Sequence, residues 1–287
     1  MSQPHTRFSR RALLAKLALG TAILAGAPLA LFQLQHRIRV ENVTIPPDAE
    51  PGTPCLRLAQ LSDLHVANGS DVRQLDRAVE MTNTLQPDAI VLTGDYIWRA
   101  AEHMELATPL LARLKAPLGV FAVLGNHDLW VGRDEVNQGL EEAGIRILTN
   151  EGLLLERGHA SVYLAGLDDG WSGMPDLDQA LADHDGDRPV VLLYHEPDLG
   201  HDMVAEGRVW VQLSGHTHGG QVRVPGRGAL ILPEFGRQYE QGLYPVGPGW
   251  IYVNRGLGTT MLPLRFNSSP EITLLDIHPP RPETRAG

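Results

Sequence analysis

The feature that most constrains this chain is a series of five short polar clusters, each placed directly after an apolar run. Asp63-Leu64-His65 follows residues 56–61, Gly94-Asp95 follows 89–93, and Gly125-Asn126-His127-Asp128 follows 119–124. Tyr194-His195-Glu196 follows 190–193, and Gly215-His216-Thr217-His218-Gly219 follows 209–214. Short continuous apolar runs are what strands buried on both faces look like. In α/β folds such strands deliver the residues after them to one end of a sheet, where ligands bind. The polar clusters are therefore expected to meet.

Between the first runs, apolar residues recur at helical spacing, with Val72, Leu75, Val79 and Leu85 on one face. Helices are expected over 72–85, 106–114 and 134–143, the last stopped by Gly144, with a short one over 176–182. From residue 146 onward the chain reads mainly as strands with Gly and Pro turns, at 146–148, 153–156, 162–166, 190–194, 209–214, 222–224, 250–253 and 272–277. That order predicts one α/β domain over 56–278, with two stacked, mostly mixed sheets and helices outside them. Residues 41–55, polar and Pro-rich, read as a linker, and 279–287 as a loose tail.

The N-terminus, residues 1–40, reads as an address or an anchor. Ser9-Arg10-Arg11-Ala12-Leu13-Leu14 places two arginines ahead of the uncharged apolar stretch 17–32, which resembles a twin-arginine export signal. The stretch is about 16 residues, just short of the roughly 17–25 that span a bilayer. A cleaved signal and an uncleaved anchor both remain open. Either places the domain in the cell envelope, periplasmic or on the outer face of an inner membrane, with the membrane and the twin-arginine machinery as partners. A formal charge of −10 argues against a nucleic-acid partner, which needs a broad basic face. A single cysteine, Cys55, excludes an internal disulfide.

The clusters carry oxygen and nitrogen donors suited to cations. In extended geometry Asp63 and His65, at i and i+2, point the same way and could grip one ion. Asp95 follows a glycine that lets backbone approach closely, and its two oxygens could bridge two ions. Asn126 offers a neutral amide oxygen. His216 and His218 repeat the i, i+2 arrangement, so a splayed loop could send one imidazole to each ion. His195 stands alone at a strand end. Each cluster by itself is weak, whereas all five in this order are not expected by chance.

The set D-x-H, G-D, G-N-H-D, H and G-H-x-H resembles the signature of calcineurin-like metallophosphoesterases over residues 57 to about 220. Gly219-Gly220-Gln221-Val222, Gly236-Arg237-Gln238-Tyr239, Leu262-Pro263-Leu264-Arg265-Phe266 and Pro270-Glu271-Ile272 extend the likeness to about 277. They resemble twin-arginine-exported bacterial phosphodiesterases, whose relatives include UDP-diacylglucosamine hydrolases. The resemblance implies a four-layer αββα sandwich and two divalent ions, of Mn, Fe, Zn or Co. It places Asp63, His65 and His218 on the first ion, Asn126, His195 and His216 on the second, and Asp95 between them. A hydroxide bridging the ions would attack phosphorus, with His127 as the histidine that faces the phosphate and acts as general acid. Many members read G-D-x-x-D, the second Asp orienting that histidine. Here the position is Trp98, which leaves open what holds His127 and counts against the purple acid phosphatases, where it is Tyr.

The reading that follows is a phosphodiesterase acting on a cell-envelope or lipid-linked phosphoester. Phosphomonoester hydrolysis at the same site and a metal-stabilised binding module are the alternatives. Leu129-Trp130-Val131 could meet an acyl chain or pack beneath its loop, and Asp168-Asp169-Gly170-Trp171 could line the rim. Arg255 and Arg265 could hold phosphate or be ordinary surface arginines.

Overall fold

Each apolar run becomes a strand because its residues are buried on both sides. The computed structural model describes residues 37–279 apart from 51 and 54. The expected export segment up to residue 36 and the tail from 280 lie outside the described residues. In chain order the strands are β1 (Arg39–Ile45), β2 (Leu56–Leu61), β3 (Ala89–Thr93), β4 (Val120–Val123), β5 (Arg146–Ile147), β6 (Glu151–Arg157) and β7 (Ala160–Gly166). They continue with β8 (Val190–Leu193), β9 (Val211–Ser214), β10 (Arg223–Val224), β11 (Gly228–Ala229), β12 (Gly242–Val246), β13 (Gly249–Val253) and β14 (Glu271–Ile277). The helices are α1 (Gly69–Thr84), α2 (Met104–Leu111), α3 (Asn126–Glu142), α4 (Leu177–Ala180) and α5 (His201–Ala205). Among the described residues no helix is long and apolar enough to cross a membrane.

Two six-stranded sheets form, in the orders β1-β14-β2-β3-β4-β5 and β12-β13-β9-β8-β7-β6. Strands β2, β3 and β4 run parallel, as do β7, β8 and β9, so each sheet carries its site strands side by side. One apolar cluster lies between the sheets, where Leu58, Val91 and Val123 of the first face Leu164, Val191 and Leu213 of the second. A second cluster packs Leu75, Val79, Leu111, Val136 and Leu140 of α1, α2 and α3 on the outer face of the first sheet. The third sets Leu177, Ala180 and Val204 of α4 and α5 on the outer face of the second. The layers are helix, sheet, sheet, helix, as the α/β reading expects.

The structure corrects two boundaries. Residues 41–45 are not linker but most of an edge strand, because β1 pairs in parallel with β14 from Arg39 to Ile45. Only Ile45 of its seven residues is buried, so its polar face reads as a connection. The helix expected from 134 begins at Asn126, with a break at Gly132 whose φ of 152° and ψ of 89° are open to glycine. That earlier first turn is functional, for it starts on a candidate ligand.

Candidate metal centre

The loops after β2 and β3 stay laced together beyond their strands. Asp63 N–H donates to Gly94 O, His65 N–H to Asp95 O and Val66 N–H to Tyr96 O, at 2.9–3.0 Å. Asp128 joins them to the third loop, its carboxylate accepting the backbone N–H groups of Gly125, Asp95 and Tyr96 at 2.8–2.9 Å. Asp63 then ties the first sheet to the second, since both its oxygens accept from His216 N–H at 3.1 Å. Gly215 N–H donates to His195 O at 3.1 Å and adds the fourth cluster, and together these bonds hold all five in one buried centre, with Asp63, His65, Asp95, Asn126, His195, His216 and His218 all 5% exposed or less.

The backbone there is not the extended form read from the i, i+2 spacing. Asp63, His65, Asp95, His216 and His218 have φ of 49°, 45°, 60°, 71° and 52°. They are left-handed, a conformation in which a non-glycine residue is strained by on the order of 1–3 kcal/mol. The shared direction of each pair comes from this strained geometry, which turns consecutive donors inward.

The donor atoms converge. His65 Nε2 lies 3.0 Å from His218 Nε2, and His218 Nε2 lies 3.3 Å from Asp63 Oδ1. Asp95 Oδ2 stands between two imidazoles, 3.4 Å from His65 Nε2 and 3.3 Å from His195 Nε2. Three overlapping sets each gather within 4.8 Å: Asp63, His65 and His218; Asp63, Asp95 and His195; and His195, Glu196 and His216. Asn126 is the first residue of α3, beside Gly125, where any Cβ would collide with the Asp95 carboxylate.

The donor chemistry fits divalent cations. Asn126 Oδ1 is buried without a hydrogen-bond partner, an expensive state for a polar atom that a cation would relieve, and His195 Nε2 faces the Asp95 carboxylate at 3.3 Å, a pair that a cation could take up between them. The far ring nitrogens set which atom is offered. His195 Nδ1 donates to Thr93 O at 2.6 Å, directing Nε2 inward, and His216 Nε2 donates to Glu234 O at 2.7 Å, freeing Nδ1.

The protonation of the metal-free centre is polarised. Burial pushes His65 and His216 down to about 3, and burial together with His65 and Arg265 holds His218 well below its ordinary value. Burial raises Asp63 to about 7. Against a burial effect that would raise it, Asp95 is held well below the usual carboxylate range by His195 and His65. His195 is correspondingly held well above its ordinary value by Asp95 and Asp63, against its own burial.

His127 sits apart from the seven, at the mouth and only half-buried. Its backbone N–H donates to Asp95 Oδ1 at 2.9 Å. In place of a carboxylate its ring has aromatic neighbours, Trp98 at 4.5 Å, Trp130 at 4.8 Å and His65 at 5.0 Å between ring centroids. Burial lowers its pKa, favouring the neutral ring. The Leu129-Trp130-Val131 segment divides: Leu129 and Val131 pack on the core, while Trp130 is 52% exposed. Trp130 meets Trp171 edge-on at 5.3 Å and donates from Nε1 to Ser172 Oγ at 2.7 Å. Trp171 reaches His216 and Phe235, so Trp98, Trp130, Trp171 and Phe235 form an aromatic rim around the mouth.

Three residues gain roles that the sequence reading did not give them. Asp128 is the strut just described, legible in hindsight as an acid at the third position of a helix. Glu196 adds a buried carboxylate beside His195, accepting from Gly170 N–H at 3.0 Å. Arg265 is no surface arginine: fully buried, it donates to Gly258 O and Ser268 O, and its Nη2 lies 3.3 Å from His218 Nδ1. Arg255 is likewise turned inward, paired with Glu41 and Glu271. Neither holds the mouth.

Comparison with known proteins agrees with this geometry. Residues 56–220 match the family described as calcineurin-like phosphoesterase. Over 248 residues the chain is 37% identical to the uncharacterized metallophosphoesterase YkuE of Bacillus subtilis (strain 168), covering 84% of this chain and 86% of that protein. It is 32% identical over 222 residues to phosphodiesterase YaeI of Escherichia coli (strain K12), covering 76% and 80%. Among solved structures, TT1561 of Thermus thermophilus covers 71% of this chain and 91% of its own, with a TM-score of 0.50 and 14% identity, a likeness of fold.

Proposed function

This chain belongs to the calcineurin-like phosphoesterase family, and from that premise we propose that it hydrolyses phosphodiesters with two divalent ions, on a lipid-linked or cell-envelope substrate. The observation that carries the two-ion reading is the Asp95 carboxylate. One of its oxygens faces an imidazole from each donor set, His65 on one side and His195 on the other.

Asp63, His65 and His218 would hold the first ion, Asn126, His195 and His216 the second, and Asp95 both. When bound, the ions supply Lewis-acid activation of water and neutralise charge on the phosphoryl oxygens. The chain itself positions and excludes. Asp63 and Asp128 fix the ligand loops through backbone N–H groups, so the donors need no rearrangement. His127 presents its imidazole at the mouth, wedged between Trp98 and Trp130, where its protonated form, which burial disfavours in the metal-free chain, can donate a proton to the leaving oxygen. A correctly placed acid of that kind contributes about 10²–10⁴-fold. The Trp130–Trp171 rim gives the leaving group an apolar wall.

The diester preference is supported by the likeness to phosphodiesterase YaeI, and the envelope setting by the twin-arginine pattern at Arg10-Arg11 with the apolar stretch after it. The test compares bis(p-nitrophenyl) phosphate, p-nitrophenyl phosphate and the p-nitrophenyl phosphodiester of dioleoylglycerol, with the manganese-loaded protein. Faster turnover of the two diesters, the lipid one foremost, is expected. A preference for the monoester would overturn the diester assignment.

A further inference from the structure

Half of the large apolar side chains left in solvent among the described residues gather in one place, apart from Leu106, Leu154 and Met174 elsewhere on the surface. Leu230, Ile231, Met261, Leu262, Leu264 and Phe266 are each exposed, Ile231 by 77% and Met261 by 80%, and they lie on two segments that the fold joins. Val222 bridges Phe266 in parallel, Phe266 N–H donates to Gln221 O, Arg223 N–H to Phe266 O and Leu230 N–H to Val222 O. The Gln221 side chain clamps the other end, donating to Thr260 O and Leu262 O and accepting from Thr260 N–H at 2.8–3.0 Å.

This face is built rather than frayed. Along 264–266 the side chains alternate, so that Leu264 and Phe266 face solvent while Arg265 runs inward to His218. Gln221 itself directly follows the turn His218–Gly220. The apolar face is thus tied, through one buried arginine and one turn, to the His218 side of the metal centre.

Its own two segments carry cations and no acid. Residues 219–233 and 255–270 contain no Asp or Glu, although the whole chain carries a formal charge of −10. They hold Arg223, Arg227, Arg255 and Arg265. Arg255 and Arg265 turn inward and Arg223 pairs with Glu240, which leaves Arg227 exposed at the tip of the β10–β11 hairpin. Exposed aliphatic side chains with a free cation, and with the neighbouring Glu240 carboxylate already neutralised by Arg223, suit an anionic lipid surface, which asks for apolar area and positive charge without shape complementarity. In the sequence, residues 33–38 alone separate the uncharged stretch 17–32 from the first strand.

We propose that this face, built from 222–231 and 260–266, lies on an anionic bilayer, its aliphatic side chains in the boundary between headgroups and acyl chains and Arg227 on lipid phosphates. The purpose assigned to it, letting a lipid-linked phosphoester reach the site without leaving the bilayer, rests on the lipid-linked reading above. The docking itself does not.

The full chain tests it, with a nitroxide at Ile231→Cys in a Cys55→Ser background and a control label at Glu80→Cys on α1. Vesicles of phosphatidylcholine with phosphatidylglycerol should shield position 231 from a water-soluble paramagnetic quencher by about fivefold or more, as for a side chain seated in the interface. Position 80 should stay in water. A label at 231 as accessible as that at 80, on protein that sediments with the vesicles, would overturn the proposal. So would shielding at 231 that needs no vesicles and grows with protein concentration, which would make a second copy of the chain the occupant. Joint Ile231→Glu and Leu262→Glu substitution should lower turnover of the dioleoylglycerol diester in vesicles about tenfold and leave bis(p-nitrophenyl) phosphate turnover unchanged. Equal turnover of the vesicle substrate by this variant would contradict it. Because bis(p-nitrophenyl) phosphate reports the site alone, failure of the docking face and failure of the phosphoesterase reading give separate results.

Discussion

Residues 56–61 and 62–66 are neighbours in the chain and opposites in structure. Leu56, Leu58, Ala59 and Leu61 lie in a regular ladder, fully buried, and most of what they touch is apolar. A few residues on, Asp63 and His65 are just as buried, but they are polar, left-handed in backbone and aimed at other polar groups. The same change occurs after β3 and β9. The strands hold the fold by satisfying local preference, and the loops at their ends carry function by violating it, held in place by the strands and by hydrogen bonds such as those to Asp128. Strands and loops therefore carry stability and activity by different means, and substitutions in the two should behave differently.

The sharpest contrast is expected at Asp95. Asp95→Asn removes the shared charge while keeping the shape, and should lower turnover of bis(p-nitrophenyl) phosphate by about 10³-fold or more, as loss of a central electrostatic group does. Circular dichroism should show the fold intact. A variant that unfolds instead would make Asp95 part of the scaffold and break the division.

Next in size are two changes of stability, the second of which inverts the usual expectation. Leu58→Ala, between the sheets, should cost about 2–5 kcal/mol in denaturant unfolding. Gly94→Ala adds only a methyl, yet φ there is +91° and the new Cβ would lie 2.6 Å from Gly125 N and 2.7 Å from His195 Nδ1. It should cost a comparable amount, roughly 2–5 kcal/mol, from overpacking and backbone strain. A negligible cost at Gly94 would show that the loop can relax and is less tightly specified than described.

A smaller effect runs the other way. Asp63 is raised from 3.8 to about 7 in the metal-free protein, so the folded state binds its proton more tightly than the unfolded state does. Stability falls as pH rises from about 4 to 7, and the full penalty is present above 7. Asp63→Asn lacks the penalty and should stabilise the metal-free chain by about 1–3 kcal/mol at pH 8, with the gain shrinking toward pH 4. Added metal should reverse the order, because only the wild type offers the carboxylate. A variant less stable than the wild type at pH 8 without metal would mean that the site's strain is not stored at Asp63.

The smallest effect is in protons. Asp63 at about 7 and His195 held well above its ordinary value are both protonated near pH 6, whereas burial keeps His65 and His216 neutral. Metal loading at pH 6 should therefore release roughly two protons per chain, read by calorimetry in buffers of different ionisation enthalpy. Affinity should rise with pH through 7. No proton release would contradict the charge pattern of the centre.

How much of this was legible in the sequence follows the same division. The β2, β3, β8 and β9 runs and the donors after them could be read because buried strands are apolar and a run of Asp, Asn and His at their ends is not. The edge strand β1 could not, since one face in water makes Glu41, Asn42 and Thr44 look like a connection. The left-handed backbone of Asp63, His65, His216 and His218 left no trace, because glycine is the residue that announces positive φ. The burial of Arg265 was hidden for a related reason: between Leu264 and Phe266, which face solvent, nothing marks it as the one side chain of the three that turns inward. What held His127 in the absence of an Asp at position 98 was also out of reach, because it is the shape of Trp98 and Trp130 together that encloses the ring.

The central claim is a centre that works with two ions. Metal-stripped full-length protein titrated with Mn²⁺ tests it most directly, with bound metal and bis(p-nitrophenyl) phosphate hydrolysis followed together. The account expects no turnover without metal and a plateau when two ions are bound per chain. Full activity with a single ion bound, or activity that persists in the metal-free protein, would contradict it.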